Sequence, residues 1–436
     1  MSAVRPGRRA LRRIVGAVVI AHGLLHLLGA ATGRGWFAVP ALSGPIGSEA
    51  RVVWLVAAVL VVAAGVLLAS SAPRWWVVSA LAAVVSQAVI VWSWSDAAAG
   101  TVVNVVLVVA ALYGWAAEGR HSLGAEYRRR AAVALATPPP AAPERCGPVV
   151  TEYDLAVLPA SVAAYLRRAG SLGQPRVTSF RAHLHGRIRA SATSTWMPFT
   201  GEQVNTYGPS SCRLFSMDAS LRGMPLDVLH VFVGSAASMR VRAVSLVPMV
   251  DAVGPQMARS ETVTLFNDLC VLAPAALVDA DVEWTVLGPD RVHGDFTRGS
   301  QTVGADLVFD DREELVDFVS EDRLAASPDG KVFTARRWST PLGDYRDADH
   351  RRRPTRGDAR WGGTPPDASF TYLELTVDDV EYNVHEPPAP ALAGAGRRRP
   401  LPERTAASTM SSVWQAPMHF VVDTVQAGLA RHYVGR

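Results

Sequence analysis

Two histidines in the middle of the chain have a spacing that could support metal chemistry. His183 and His185 stand at i and i+2 where apolar and polar residues alternate, so on a strand they share one face and could bind one metal ion together. A third ligand would have to come from His230, His293, Asp227 or Asp295. Arg181 and Arg187 fall on the same face and repel a cation. The sequence therefore favours a solvated basic face, predicts no metal and no cofactor, and leaves open that this face binds an anionic head group.

A second pair of histidines lies in an apolar segment. His22 and His26 are four residues apart and share one helix face, and Gln87 and Asn104 are polar residues of two other apolar segments. Ionisable groups inside a membrane are costly and often functional, so the pair could bind a metal or haem or relay protons. No other histidine occurs in an apolar segment, which excludes haem ligation by histidines from two helices. We favour a structural role, with neutral histidines bonding across a helix bundle to Gln87, Asn104 or Ser86.

Two carboxylates lie on one face of a segment with helical character. Glu261 and Asp268 are seven residues apart, and they could perform acid–base chemistry if they were buried. More often such a stripe faces water or bonds to neighbouring strands. The sequence contains no nucleophile elbow, P-loop, dinucleotide fingerprint or HExxH motif, so it predicts no catalytic residue.

Four apolar stretches lie in the first 117 residues, and the first of them contains His22 and His26. They cover residues 14–31, 52–70, 76–92 and 101–117, and none contains an acidic or basic residue. Each is about 17–20 residues long, which is the length that a helix needs to cross a hydrocarbon core about 30 Å thick. We therefore predict a four-helix membrane region within residues 1–130.

Arginine is distributed unevenly around these stretches. The N-terminal tail, the second connection and the segment after the fourth stretch together hold ten arginines, whereas the first and third connections hold two. Since positive residues stay on the cytoplasmic side, both termini are predicted to be cytoplasmic in a bacterial cytoplasmic membrane. Residues 1–130 carry twelve arginines against four acidic residues. Such a charge suits the lipid bilayer with its anionic head groups, and we predict no nucleic-acid partner.

The rest of the chain is patterned for strands. After a predicted linker at 131–147, alternating segments recur through residues 148–384 and indicate about ten antiparallel strands, interrupted by one helix at 256–272. The predicted class is an all-α membrane bundle joined to an α+β domain, whose large antiparallel sheet curls into a half-barrel with a few helices. Trp196 and Trp338 fall near strand ends and could line an apolar cavity on the concave face. Residues 385–407 read as a disordered linker, and 408–436 as an amphipathic helix.

A series of short motifs runs through residues 148–384. In order they are LPASVAAYLRRAG at 158–170, PRV at 175–177, FRAHLHGRI at 180–188, WMPF at 196–199, EQ at 202–203, APAAL at 273–277, RW at 337–338, Tyr345 and FTY at 370–372. This series resembles a bacterial family known only as a domain of unknown function, of the DUF6544 type. The resemblance implies a β-rich fold and supplies no activity and no catalytic residues.

Three functions remain open from the sequence. The first is a multipass membrane protein whose cytosolic β-rich domain binds a lipid or another small amphiphile near the bilayer. The second is a membrane-anchored enzyme, such as a metal-assisted hydrolase that uses His183 and His185. The third is a membrane assembly or scaffold protein, and the oligomeric state stays open in all three.

Overall fold

The computed structural model describes residues 6–32, 48–137, 147–208, 211–327, 329–362 and 369–385. The described residues all belong to one compact unit of the chain. The segment predicted as an amphipathic helix, 408–436, lies outside the described residues, as does the predicted linker 385–407 beyond its first residue.

The N-terminal part is helical. Its helices are α1 (Pro6–Thr32), α2 (Ser48–Ser70), α3 (Trp75–Trp92), the single turn α4 (Trp94–Ala97) and α5 (Gly100–Glu118). Four segments are long and apolar enough to cross a membrane: Leu11–Ala31, Arg51–Ser70, Trp75–Trp92 and one within Gly100–Ala136. Val84 and Val102 are each 69% exposed, as expected for side chains that face lipid. The four predicted apolar helices are therefore present, and each is a candidate membrane span by its length and composition.

Small residues let the first two membrane helices approach closely. A Cβ atom on Gly16 would lie 2.8 Å from the carbonyl oxygen of Gly65, and one on Gly23 would lie 2.7 Å from Val62 Cγ2. Larger side chains at these positions would force α1 and α2 apart. Close backbone approach through small residues is a usual way of joining helices in lipid, where the hydrophobic effect does not drive association.

A sixth helix connects the membrane region to the β-rich domain. α6 (Leu123–Ala136) follows α5 after a connection of four residues, and the Ser122 hydroxyl caps it by accepting a hydrogen bond from the Ala125 N–H at 3.1 Å. This helix extends through Ala136, so it includes the first six residues of the segment predicted as a linker.

The β-rich domain begins with two short helices and continues as a meander. The helices are α7 (Glu152–Ala156) and α8 (Ala160–Arg168). The strands are β1 (Ser179–Ile188), β2 (Met197–Thr206), β3 (Cys212–Leu221), β4 (Met224–Val233), β5 (Ala236–Ala243), β6 (Val247–Val253), β7 (Val282–Val286), β8 (Arg291–Arg298), β9 (Gln301–Phe309), β10 (Leu315–Ser320), β11 (Leu324–Ala326), β12 (Phe333–Ala335), β13 (Trp338–Ser339), β14 (Leu342–Ala348), β15 (Arg351–Trp361) and β16 (Phe370–Tyr382). Within the described residues, β11 and β12 form a separate hairpin and the others form one 14-stranded antiparallel sheet.

The order of the sheet is β6-β5-β4-β3-β2-β1-β16-β15-β13-β10-β9-β8-β7, with β14 attached to β15. Two consecutive meanders are thus joined where β1 pairs with β16. A sheet of this width curls, and its concave face holds the helix α9 (Pro255–Leu272) and a 3-10 helix (Pro274–Asp279). The curled, half-barrel α+β architecture predicted from the sequence is confirmed.

The alternation in β1 decides which side chains enter the core. Phe180, Ala182 and Leu184 are at most 3% exposed and pack in the concave core around α9, whereas the intervening polar residues lie on the convex face. Part of that convex face is covered by α6, which packs Tyr127 and Leu135 with Leu214 of β3 and other apolar residues of β2 to β4.

The sheet has more strands than the sequence predicted. β6 was missed because the turn before it, residues 244–246, contains no glycine or asparagine to signal it, although Val244 and Ser245 have φ of 46° and 62°. β15 was missed because its sequence, RRRPTRGDARW, has little apolar alternation.

Candidate ligand-binding cavity

A cavity of about 370 Å³ lies between α9 and the concave face of the sheet. Its apolar lining includes Leu184, Ile188, Met217, Leu373, Leu375 and Val377. The volume falls within the range of roughly 300–1,000 Å³ that is usual for small-molecule sites. A pocket with long aliphatic and thioether side chains on its walls favours an apolar group as occupant.

One part of the cavity wall is ionic. The Arg213 guanidinium on β3 donates from Nε to Asp268 Oδ2 at 2.7 Å and from Nη1 to Glu261 Oε2 at 2.9 Å. Both carboxylates belong to α9, and all three side chains are less than 10% exposed. One arginine therefore holds the buried helix against the sheet through two charge-assisted hydrogen bonds.

Further polar side chains complete this cluster. The amide groups of Gln203 and Asn205 donate to Asp268 Oδ2 at 2.7 and 2.9 Å. On the other side, His230 Nδ1 lies 3.0 Å from Glu261 Oε1. These partners satisfy both α9 carboxylates, as buried polar groups require. We call Gln203, Asn205, Arg213, His230, Glu261 and Asp268 the polar cluster.

The two carboxylates of the polar cluster have different affinities for protons. Burial alone would raise the pKa of Glu261, but Arg213 and His230 lower it to about 2. Burial dominates at Asp268, and its pKa is raised even though Arg213 and Asn205 act in the opposite direction. Glu261 is thus the fixed anion of the cluster, and Asp268 takes up a proton more readily than an ordinary aspartate.

An arginine and two tryptophans form another part of the wall. Trp338 of β13 and Trp361 of β15 are paired on adjacent strands, and both line the cavity. The Arg323 guanidinium lies 4.5 Å from the ring centroid of Trp338 and 5.5 Å from that of Trp361. Trp338 is 3% exposed and its indole N–H donates to the Tyr372 hydroxyl at 3.1 Å.

The predicted histidine pair of β1 lies on the convex face, away from this cavity. His185 Nδ1 is 2.8 Å from Asp378 Oδ1, and His183 Nδ1 is 3.9 Å from Glu202 Oε2, so the two rings have different partners. Among the described residues no group of three or more histidine, cysteine or acidic side chains could hold a metal ion. A metal-assisted enzyme therefore has no metal site within those residues.

The arginines of the same strand face acidic partners. Arg187 forms two hydrogen bonds with Glu374 at 2.6 and 2.7 Å, and Arg181 lies 3.5 Å from Glu381. Trp196 lies under the Arg187 and Arg189 guanidinium groups, 4.6 and 4.4 Å from them, and does not line the cavity. The charges of Arg181 and Arg187 are thus balanced by carboxylates of β16. Nothing in the sequence indicates that β16 lies beside β1.

A second, larger concavity of about 690 Å³ lies on this side of the sheet. Its lining includes His185, Arg187, Glu374 and Asp378, which are the ion pairs just described, together with Arg353 and Arg356. Charged side chains of both signs make up much of the lining of this groove, and Leu375 and Val377 are among its few apolar residues.

In the membrane region the two histidines meet one serine of α3. His26 Nε2 lies 2.8 Å and His22 Nε2 lies 3.3 Å from Ser86 Oγ. Nearby, the Asn104 amide donates to Gln87 Oε1 at 2.9 Å and Gln87 donates to Thr101 Oγ1 at 3.2 Å. The polar residues singled out in three apolar segments thus bond between helices in the interior of the bundle.

Sequence reasoning missed most of the polar cluster. A usable signal was present, because Gln203 and Asn205 occupy inward-facing positions of β2 and Arg213 occupies an inward-facing position of β3. Polar residues on the core side of two neighbouring strands require buried partners. Glu261 and Asp268 were recognised as a pair, and they are the partners.

These features define a protein with four candidate membrane-spanning helices and a curled antiparallel β domain. The chain belongs to a family of unknown function, DUF6544, whose model matches residues 148–375, just over half of the chain. No curated protein matches the chain.

Solved structures that are similar to this chain come from three bacteria. A LolA superfamily protein from Nitrosomonas europaea is 10% identical, with a TM-score of 0.30 over 51% of this chain and 94% of that chain. A domain assigned to outer membrane lipoprotein sorting in Vibrio parahaemolyticus is 12% identical, with a TM-score of 0.28 over 47% and 85%. A DUF1329 family protein from Desulfovibrio piger is 12% identical, with a TM-score of 0.25 over 52% and 92%.

Proposed function

We propose that this protein binds an amphiphilic, lipid-like ligand in the cavity between α9 and the concave sheet, close to the cytoplasmic face of the bacterial cytoplasmic membrane. The observation that carries the proposal is the cavity itself, about 370 Å³ in volume, with an apolar wall and a localised polar cluster. An apolar tail would pack on the aliphatic side chains, while a polar head group would find hydrogen-bonding partners.

The attachment of the domain supports a ligand that comes from the bilayer. Only four residues separate α6 from the last candidate membrane helix, and α6 packs on the convex face of the sheet. The Tyr127 hydroxyl donates to Glu202 Oε1 at 3.0 Å, and Glu126 pairs with Arg240 at 2.7 Å. This contact fixes the domain beside the end of a membrane helix, and because α6 lies on the convex face it does not cover the cavity beside α9.

The arginine distribution supports the cytoplasmic side. Arg120, Arg128, Arg129 and Arg130 surround the connection between the last membrane helix and the β domain. Basic residues in such a position are typical of the cytoplasmic side and interact with anionic head groups. The proposed ligand is therefore an amphiphile of the inner leaflet or of the cytosol.

The proposal is tested by titrating the full-length protein in lipid nanodiscs with a fluorescent C16 fatty acid, with empty nanodiscs as the reference for partitioning. We expect saturable binding of one probe per chain. Ala326 lines the cavity from β11, so Ala326→Trp should weaken binding by occupying part of the space. Ala236→Trp is the matched control, because Ala236 is also an exposed strand alanine and lies outside the cavity lining.

Two results would contradict the proposal. The first is binding no greater than in empty nanodiscs. The second is a saturable site that Ala326→Trp and Ala236→Trp affect equally, because the probe would then occupy some other part of the protein.

A further inference from the structure

Arg323 differs from the arginine of the polar cluster in having no acceptor. Its Nε is buried without a hydrogen-bond partner, and within the described part of the chain no hydrogen bond or ion pair is formed by its guanidinium group. A buried N–H donor without an acceptor is unusual, since guanidinium groups are normally paired with a carboxylate, a phosphate or a carbonyl.

The acidic residues that line the cavity are already engaged with other partners. Glu261 is close enough for the positive charge of Arg323 to influence it, but its Oε1 is bonded to His230 and its Oε2 to Arg213. Asp358, another acidic residue of the cavity lining, bonds to Arg360 at 3.1 Å. Within the described residues the Arg323 guanidinium in the cavity wall therefore has no directly bonded anion.

The position of Arg323 is well defined by its surroundings. The next residue, Leu324, exchanges two hydrogen bonds of 3.1 Å with the Ser260 hydroxyl of α9, one from its N–H and one to its carbonyl oxygen. The guanidinium rests on Trp338 and Trp361, which hold the cation without using its N–H donors. Backbone anchoring and aromatic contact together orient a planar set of donors in the wall of the cavity.

We propose that Arg323 binds the anionic head group of the ligand, so that the ligand class is an amphiphile with a carboxylate or phosphate group and an apolar tail. This inference rests on the proposed function above and names the chemistry of its ligand. The planar guanidinium matches a carboxylate or phosphate through two parallel hydrogen bonds. The tail would extend from there along the apolar wall that includes Leu373 and Leu375.

The test compares three probes that carry the same fluorophore and the same C16 chain but end in a carboxylate, an alcohol or a trimethylammonium group. Each is titrated into the full-length protein in nanodiscs of zwitterionic lipid. In the unmodified protein we expect the carboxylate to bind about tenfold more tightly than the alcohol, because it gains a charge-assisted hydrogen bond. The ammonium probe should bind most weakly, because its charge has the same sign as that of Arg323.

The variant Arg323→Gln should lower the affinity for the carboxylate to that for the alcohol, while the affinity for the alcohol is unchanged. Arg312→Gln is the matched control, because Arg312 is exposed in the turn between β9 and β10 and should leave every affinity as it is. If Arg323→Gln does not fold, the order of the three probes in the unmodified protein still decides, since it needs no variant.

Several outcomes separate this inference from the proposed function. Equal binding of carboxylate and alcohol, or a carboxylate preference that survives in Arg323→Gln, would overturn the role of Arg323 while leaving the cavity as a lipid site. No saturable binding of any probe would overturn both. Displacement of the carboxylate probe by acetate or inorganic phosphate at similar concentrations would show a site for small anions and would overturn the amphiphile.

Discussion

Arg213 Nε lies 2.7 Å from Asp268 Oδ2, and this ion pair joins strand β3 to helix α9 in the interior of the curled sheet. The same guanidinium also donates to Glu261 Oε2 at 2.9 Å. Glu261 lies about two helical turns before Asp268 in α9. The helix that fills the concave face is thus fixed by polar contacts on the cavity side as well as by apolar packing. Such a connection maintains the space between helix and sheet, because it holds α9 at the length of an arginine side chain from β3.

Replacement of Arg213 by methionine should destabilise the protein strongly. The change leaves two carboxylates buried without their cation, and breaking a buried ion pair in this way costs about 3–5 kcal/mol. Denaturant unfolding of the full-length protein, followed by tryptophan fluorescence, measures the effect. Arg167→Met is the control, since Arg167 pairs with Glu152 on the exposed surface and its loss should change stability little. Equal effects of the two variants would contradict the structural role of Arg213.

The overall architecture was predictable because the two halves of the chain have different hydrophobic periods. Unbroken apolar runs indicated the membrane helices, and alternation in segments such as Phe180–Ile188 indicated the strands. Strand β15 was not predictable in this way. Its arginines are accommodated by partners elsewhere in the fold, such as Glu314, which Arg352 contacts, and the sequence around β15 gives no sign of them.

The candidate site was less predictable because its residues come from distant segments. Trp338 was identified by its type, but Arg213 and Arg323 are ordinary arginines in a chain that contains many of them. Their role comes from their position in the cavity wall, and that position depends on the long-range pairing of strands. Conversely, the basic face of β1 suggested an anion site, and the carboxylates of β16 that balance it became visible only in the sheet.

The acid sensitivity of the fold should depend on Glu261. Its pKa is lowered from 4.5 to about 2, so the folded state favours its ionised form. The resulting stability is present above about pH 4.5 and is lost as the pH falls toward 2. Glu261→Gln should remove this loss, which is measured as a flatter dependence of the unfolding temperature on pH over that interval.

Asp268→Asn should have the opposite effect on the same curve. Because the pKa of Asp268 is raised, its contribution to stability is present below its ordinary value of 3.8 and is lost as the pH rises through the raised pKa. Its removal should therefore make the acid-induced loss steeper. If both variants change the slope in the same direction, the assignment of the two carboxylates is wrong.

The hydrogen bonds of the membrane histidines can be tested through their shared partner. Ser86→Ala removes the hydroxyl that both His22 and His26 contact, and we expect a loss of about 1 kcal/mol, as for interhelical hydrogen bonds in membranes. Ser79→Ala is the control on the same helix, because that buried hydroxyl bonds only to the Trp75 carbonyl oxygen within α3. Thermal unfolding in nanodiscs should show a lower midpoint for Ser86→Ala than for Ser79→Ala, and equal midpoints would contradict an interhelical role.

The orientation of the protein follows from arginine positions and is open to direct measurement. We expect both termini in the cytoplasm, so a fluorescent protein fused after Arg436 should be bright, and alkaline phosphatase at the same place should be inactive. The third connection between apolar stretches, near Asp96, should give the reverse pattern because it contains no arginine. A periplasmic signal at Arg436 would contradict this orientation. It would mean that the β domain, which α6 joins to the last candidate membrane helix, takes its ligand from the opposite leaflet.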